Sequence, residues 1–193
     1  MNPKASSAHP GGLIRRSDFM RQAGRLAAAG LLAPALPTLA QEGPVLKRPI
    51  PSTGEMIPVI GSGTAVIYDI EAQDPRIPVL AQSVNALIGG GGAMIDTAPT
   101  YGRAEKRLGE VLRLVEPAVR DRIFLASKIS IMGEEAGVKQ ITQTFADLGT
   151  SRLDLLQVHN VRDTQNHLKT IRRLREEGKV RYVGITTSFE NTH

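Results

Sequence analysis

The sequence has no cysteine and no tryptophan, and aromatic residues make up only 4% of it. Without cysteine there is no disulfide framework, no thiol nucleophile and no thiolate metal site. The four histidines, His9, His159, His167 and His193, include no His-x-His pair to hold a metal, so no metal site is expected. Two nucleotide fingerprints are also missing. Gly61-Ser62-Gly63 would need a third glycine where Val66 stands, the run Gly89 to Gly92 lies before its strand, and there is no G-x-x-x-x-G-K-[ST] loop. The net charge of +5 is carried mostly by Lys4, Arg15, Arg16, Arg21 and Arg25 in the first forty residues, against Asp18 alone. The remaining cations stand beside Glu and Asp with few aromatics to stack bases, so no nucleic-acid partner is expected.

What is present fits a globular protein, with 41% hydrophobic and 22% charged residues. Residues 1–40 read as an export signal: a basic segment, then the apolar run Leu26 to Ala40, ending in the small-x-small pattern Thr38-Leu39-Ala40. The run is short for a membrane span. Arg15-Arg16 followed by Phe19-Met20 resembles a twin-arginine signal, although Ser17 and Asp18 stand where that pattern has one residue. The expectation is engagement of the export machinery and a periplasmic address, or a cytoplasmic one if the signal does not function. A Sec route and an amphipathic N-terminal helix remain alternatives.

A single domain is expected over residues 41–193. It opens with a hairpin turning at Ser52-Thr53-Gly54-Glu55. Strand signals follow at Ile57 to Ala65, Ala93 to Thr97, Ile123 to Lys128, Leu153 to His159 and Val180 to Thr186. Between them, Val79 to Ile88, Ala104 to Leu114, Val138 to Leu148 and Leu168 to Glu177 show helical apolar spacing, with Gly89, Gly149 and Gly178 placed as helix stops. Strands and helices alternating at about thirty-residue spacing indicate an α/β fold built of parallel βα units.

Three of these strands end in ionisable residues: Asp96, Lys128 and His159, with Tyr101 on the loop after the first. In parallel α/β folds the carboxyl ends of the strands carry the ligand site. Each residue has a plainer reading: Asp96 as a helix cap or turn former, Lys128 as a solvated strand end, His159 as a core histidine. As a group they make a proton donor. A lysine between apolar walls needs a counter-charge such as Asp96, and an ammonium near Tyr101 helps a phenol, whose ordinary pKa is about 10, to act as an acid near neutral pH.

DTAPTYG, IFLASK, LDLLQVHN and LREEGKVRYVGITT, in this order and spacing, resemble the aldo/keto reductases from about residue 45 onward. The resemblance implies a TIM (β/α)8 barrel that binds NADPH, or NADH, and reduces a small-molecule aldehyde or ketone. It gives Asp96, Tyr101, Lys128 and His159 the roles of a catalytic tetrad: Tyr101 protonates the carbonyl oxygen, Lys128 paired with Asp96 tunes it, and His159 orients the substrate. It places Gly63, Thr64, Asn160, Thr186 and Thr187 at the cofactor. Thr186-Thr187 stand where the family usually has Ser-Asn. A whole barrel needs about 250 residues, so with about 153 after Ala40 the expectation is a partial barrel of about five βα units, lacking strands six to eight. Two other functions stay open: a nucleotide-binding protein of the same fold without turnover, and an inactive truncated gene product.

Overall fold

The structure is a computed structural model and describes residues 44–188; the export segment expected at 1–40 and the final residues 189–193 lie outside the described residues. It begins with an antiparallel hairpin, β1 (Lys47–Pro49) against β2 (Met56–Pro58). The turn between them closes through Ile50 O, which accepts hydrogen bonds from Thr53 N and Gly54 N, with Gly54 at φ 75°. Ile57 and Pro58 therefore belong to the hairpin and not to the first barrel strand, which is shorter than expected. That strand, β3, is only Gly61–Gly63. The hairpin pairing runs one residue past Pro58, where Val59 N donates to Leu46 O at 2.9 Å, before β3 begins at Gly61.

Four further strands follow: β4 (Met94–Asp96), β5 (Phe124–Ile129), β6 (Leu153–His159) and β7 (Val180–Thr186). All pair in parallel, each beside its predecessor in sequence, in the order β3-β4-β5-β6-β7. A doubly wound sheet would reverse direction at a switch point. Here every crossover runs the same way, and right-handed crossovers then place all connecting helices on one side. The five strands form an arc of a (β/α) barrel.

The connecting helices are α1 (Ile77–Gly89), α2 (Ala104–Leu114), the single turn α3 (Pro117–Arg120), α4 (Glu134–Leu148) and α5 (Thr164–Glu176). α1 includes Gly89, one residue further than expected, and leaves through Gly90 and Gly91, the latter at φ 88°. α4 starts four residues before Val138, because Glu134 and Glu135 suit a helix N-terminus electrostatically while carrying no apolar signal. α5 likewise starts at Thr164, ahead of its first apolar residue.

The core lies between sheet and helices. Ile95, Leu125, Ile129, Leu156 and Val158 meet Val84 and Ile88 of α1, Leu108 and Val111 of α2, Ile141 and Leu148 of α4 and Ile171 of α5, all buried. β5 is buried at every residue. Leu125 and Ile129 belong to this core, so the pleat turns Phe124, Ala126 and Lys128 to the opposite, concave face. The same alternation sets Asp96 opposite Ile95 in facing and delivers it to that concave face. Ladder register then aligns Asp96 with Ala126, Lys128 with Gln157, and His159 with Thr186.

α2 and α4 approach closely at Gly109, where a Cβ would stand 2.0 Å from the backbone oxygen of Asp147. Backbone cannot yield as a side chain tip can. Gly109→Ala is expected to destabilise the protein by about 1–3 kcal/mol despite the better helix propensity of alanine, because overpacking outweighs a gain of about 1 kcal/mol. Urea denaturation measures it, and unchanged or higher stability would show that the helices do not meet at this residue.

Candidate active site

Lys128 is 4% exposed, and an ammonium in that position must be neutralised and hydrogen-bonded. Its Nζ donates to Asp96 Oδ2 at 2.6 Å and to the Thr97 carbonyl at 2.9 Å. The same Nζ lies 4.9 Å from the centroid of the Tyr101 ring. Tyr101 in turn stands edge-on to His159, with ring centroids 6.0 Å apart at 87°. The structure thus brings the four residues together at the carboxyl ends of β4, β5 and β6.

The tyrosine loop is held along its length by backbone bonds. Thr97 N donates to Ala126 O, Tyr101 N to Ala98 O, and Ala104 N to Tyr101 O, at 3.0 to 3.1 Å. Gly102 adopts φ 61°, and a Cβ there would run into the Asp69 carboxylate at 2.5 Å. That closeness lets Asp69 accept from Arg103 N at 3.1 Å and Arg103 Nε at 2.9 Å, while Arg103 also pairs with Glu71. The segment after β3 therefore braces the loop from outside, a role with no sequence signal because Asp69 follows no periodic pattern.

His159 Nδ1 is 3.3 Å from Thr100 Oγ1. Burial lowers the imidazole pKa below its ordinary value of 6.5, and the Lys128 charge lowers it further against the opposing pull of Asp96. The ring is accordingly neutral at pH 7. Thr100 is a site residue that sequence reading missed.

A second missed residue is Glu105, in the first turn of α2. It is buried, accepts from Ser127 Oγ at 2.6 Å and Thr144 Oγ1 at 3.0 Å, and burial pushes its carboxyl up to about 7. Its signal was available: Glu105 precedes Leu108 by three residues and Leu112 by seven, which puts a carboxylate on the apolar stripe of the helix.

The residues expected at the cofactor divide. Gly63 is exposed at the end of β3 beside Asp96, and a Cβ there would meet nothing within 4 Å. Thr186 is half-buried at the end of β7. Asn160, at φ 53°, uses its amide oxygen to accept from Ser188 N at 2.9 Å and Ser188 Oγ at 3.2 Å, and Thr187, half-buried, follows the last residue of β7. Thr64 does not open on the mouth. It is fully buried, and its hydroxyl donates to the Asp96 carbonyl at 3.1 Å, supporting the strand from behind. Among the described residues no group of three or more His, Asp or Glu is placed to hold a metal ion.

The model of the Aldo/keto reductase family matches residues 60–192. The chain belongs to the aldo/keto reductase family. It is 27% identical over 146 residues to an aldo-keto reductase of Mycobacterium sp. (strain KMS), covering 72% of this chain and 49% of that one. The crystal structure of an aldo-keto reductase from Klebsiella pneumoniae in complex with NADPH superposes with a TM-score of 0.59 at 28% identity, over 73% of this chain and 50% of that one. A thermostable aldo-keto reductase in complex with the inhibitor epalrestat gives a TM-score of 0.64 at 25% identity, over 76% and 55%. The chain spans about half the length of the curated relatives it matches.

The lowered pKa of His159 has a checkable consequence. Its ring should titrate below 6.5 in a histidine NMR titration, and Lys128→Met should raise the midpoint only in part, since burial is the larger cause. Because the unfolded chain takes up this proton more readily, His159 contributes to a loss of stability as pH falls through 6.5. A native midpoint at or above 6.5 would contradict the arrangement.

Proposed function

We propose that the protein reduces an aldehyde or ketone with hydride from NADPH, Tyr101 acting as the general acid. The observation that carries this reading is the Lys128 ammonium, bound to Asp96 at 2.6 Å and 4.9 Å from the Tyr101 ring, at a strand-end mouth. A phenol is a weak acid, and a fixed cation beside it stabilises the phenolate left when the proton departs. Tyr101 Oη would give its proton to the substrate carbonyl oxygen. Lys128 cannot drift toward that oxygen, since two of its protons are committed to Asp96 and Thr97. His159, neutral and with Nδ1 facing Thr100, is left with Nε2 to orient the carbonyl.

The mouth suits a nicotinamide. Gly63 leaves open space beside Asp96, Thr186 offers a hydroxyl at the end of β7, and Asn160, its amide oxygen held by Ser188, offers its amide nitrogen after β6. These residues would hold the group, which when bound supplies the hydride. The Klebsiella pneumoniae relative in complex with NADPH favours NADPH over NADH. A second reading, nucleotide binding without turnover, draws on Thr187 standing where the family usually has an asparagine.

Tyr101→Phe separates the two. It keeps the ring against Lys128 and His159 and removes the transferable proton. Carbonyl reduction, followed as NADPH consumption over an aldehyde panel, is expected to fall by about 10²- to 10⁴-fold while NADPH affinity stays within about threefold. An unchanged rate would overturn the role of Tyr101. A native chain that binds NADPH yet reduces no carbonyl would leave the second reading in place.

A further inference from the structure

The helix that follows Tyr101 is held to the strand that carries Lys128 by a buried polar trio. Glu105 Oε1 accepts from Ser127 Oγ of β5 at 2.6 Å, and Glu105 Oε2 accepts from Thr144 Oγ1 of α4 at 3.0 Å. All three residues are buried. Core residues stand one helical turn from the trio, Leu108 from Glu105 and Ile141 and Leu148 from Thr144, so an apolar side chain would suit the place without the desolvation a carboxylate suffers. Stability alone does not account for a glutamate here.

We propose that Glu105 is a positioning residue for the Tyr101–Lys128 pair, clamping the start of α2 onto β5 so that the phenol is held at the ammonium. The inference rests on the reading of Tyr101 and Lys128 as the reacting pair. The connection is short on both sides. Tyr101 O accepts from Ala104 N, so the tyrosine is joined directly to the helical turn that contains Glu105. Ser127 immediately precedes Lys128 on β5, and the pleat sends Ser127 to the helices and Lys128 to the concave face. A shift of the turn against the strand therefore changes the distance between ring and ammonium.

The clamp also depends on protonation. An ionised carboxylate accepts from both hydroxyls, whereas a protonated one turns one oxygen into a donor and gives up one of the two bonds unless a hydroxyl reverses. Burial raises the Glu105 pKa to about 7, so both forms are populated near neutral pH. The charges facing it are Lys128 from β5, which favours the carboxylate, and Asp147 from α4, which opposes it. Arg103 and Lys106 lie on its own side, lining with Pro99, Gly102, Gln143 and Asp147 a groove of about 390 Å³ that reaches Glu105 from solvent.

The test follows the Tyr101 ring by ¹³C NMR in the full chain, assigned with Tyr101→Phe, as pH is varied. The Tyr101 signal should move with a midpoint of about 7, distinct from the His159 titration below 6.5. Glu105→Gln, which retains the side-chain shape but cannot titrate, should flatten that movement. Ser127→Ala, which keeps the carboxylate and removes one donor, should shift the midpoint upward, and it serves if Glu105→Gln does not fold. A native signal that is flat near pH 7, or one that keeps its midpoint in either variant, overturns the proposal. In turnover, Glu105→Gln should lower kcat by about 10- to 100-fold with the carbonyl KM little changed, the expected result of misplacing a reacting group by about 1 Å. An unchanged kcat also overturns it. If the native chain reduces no carbonyl, the reductase reading fails while the Tyr101 signal still decides the clamp.

Discussion

Bringing the Lys128 ammonium out of water at the end of β5 requires a partner for its charge and acceptors for its protons, and those requirements shape everything around it. Asp96 and the Thr97 carbonyl meet both. For them to do so, β4 must end two residues short of Lys128 in register, which the pairing of Asp96 with Ala126 provides. Thr97 must turn its carbonyl inward, which its own N–H bond to Ala126 O permits. Thr64, just after β3, then holds the Asp96 backbone from the other side. Three strands are thus tied at one charge.

That charge also governs its neighbours. The cation that attracts the face of the Tyr101 ring adds to burial in lowering the His159 pKa, so the pocket holds a neutral imidazole beside a phenol. On the other side of β5 a second carboxylate, Glu105, is buried with no direct cation and is shifted the opposite way, up to about 7. Two titratable groups flanking one lysine are thus shifted in opposite directions, the imidazole toward its neutral form and the carboxyl toward protonation.

Much of this was legible in the sequence. Apolar strands ending in Asp96, Lys128 and His159 placed the cluster, and thirty-residue spacing placed the helices. The differences have two main causes: first turns too polar to carry an apolar signal, and contacts that join residues with no local pattern. β3 was read too long because Ile57 and Pro58 are apolar like a strand continuation, although they pair back onto β1. α4 and α5 were read too short because their first turns are polar. The family resemblance puts Thr64 at the cofactor, yet its hydroxyl, one residue beyond β3, turns to Asp96 O. Asp69 and Thr100 become visible only when the loop after β3 and the loop after β4 are seen to meet. Glu105 was the one missed residue with a local signal, a carboxylate on an apolar stripe.

The claim that the Lys128–Asp96 pair organises the site is tested most directly by a double-mutant cycle on stability, with Asp96→Asn, Lys128→Met and both together. Asp96→Asn alone should cost about 2–4 kcal/mol, below the full value for a buried pair because Asp96 is one-third exposed. Adding Lys128→Met should recover much of that loss, since no buried ammonium then remains unpaired. Single and double changes that add within about 0.5 kcal/mol would mean that the two charges are not coupled, and the account built on them would be wrong.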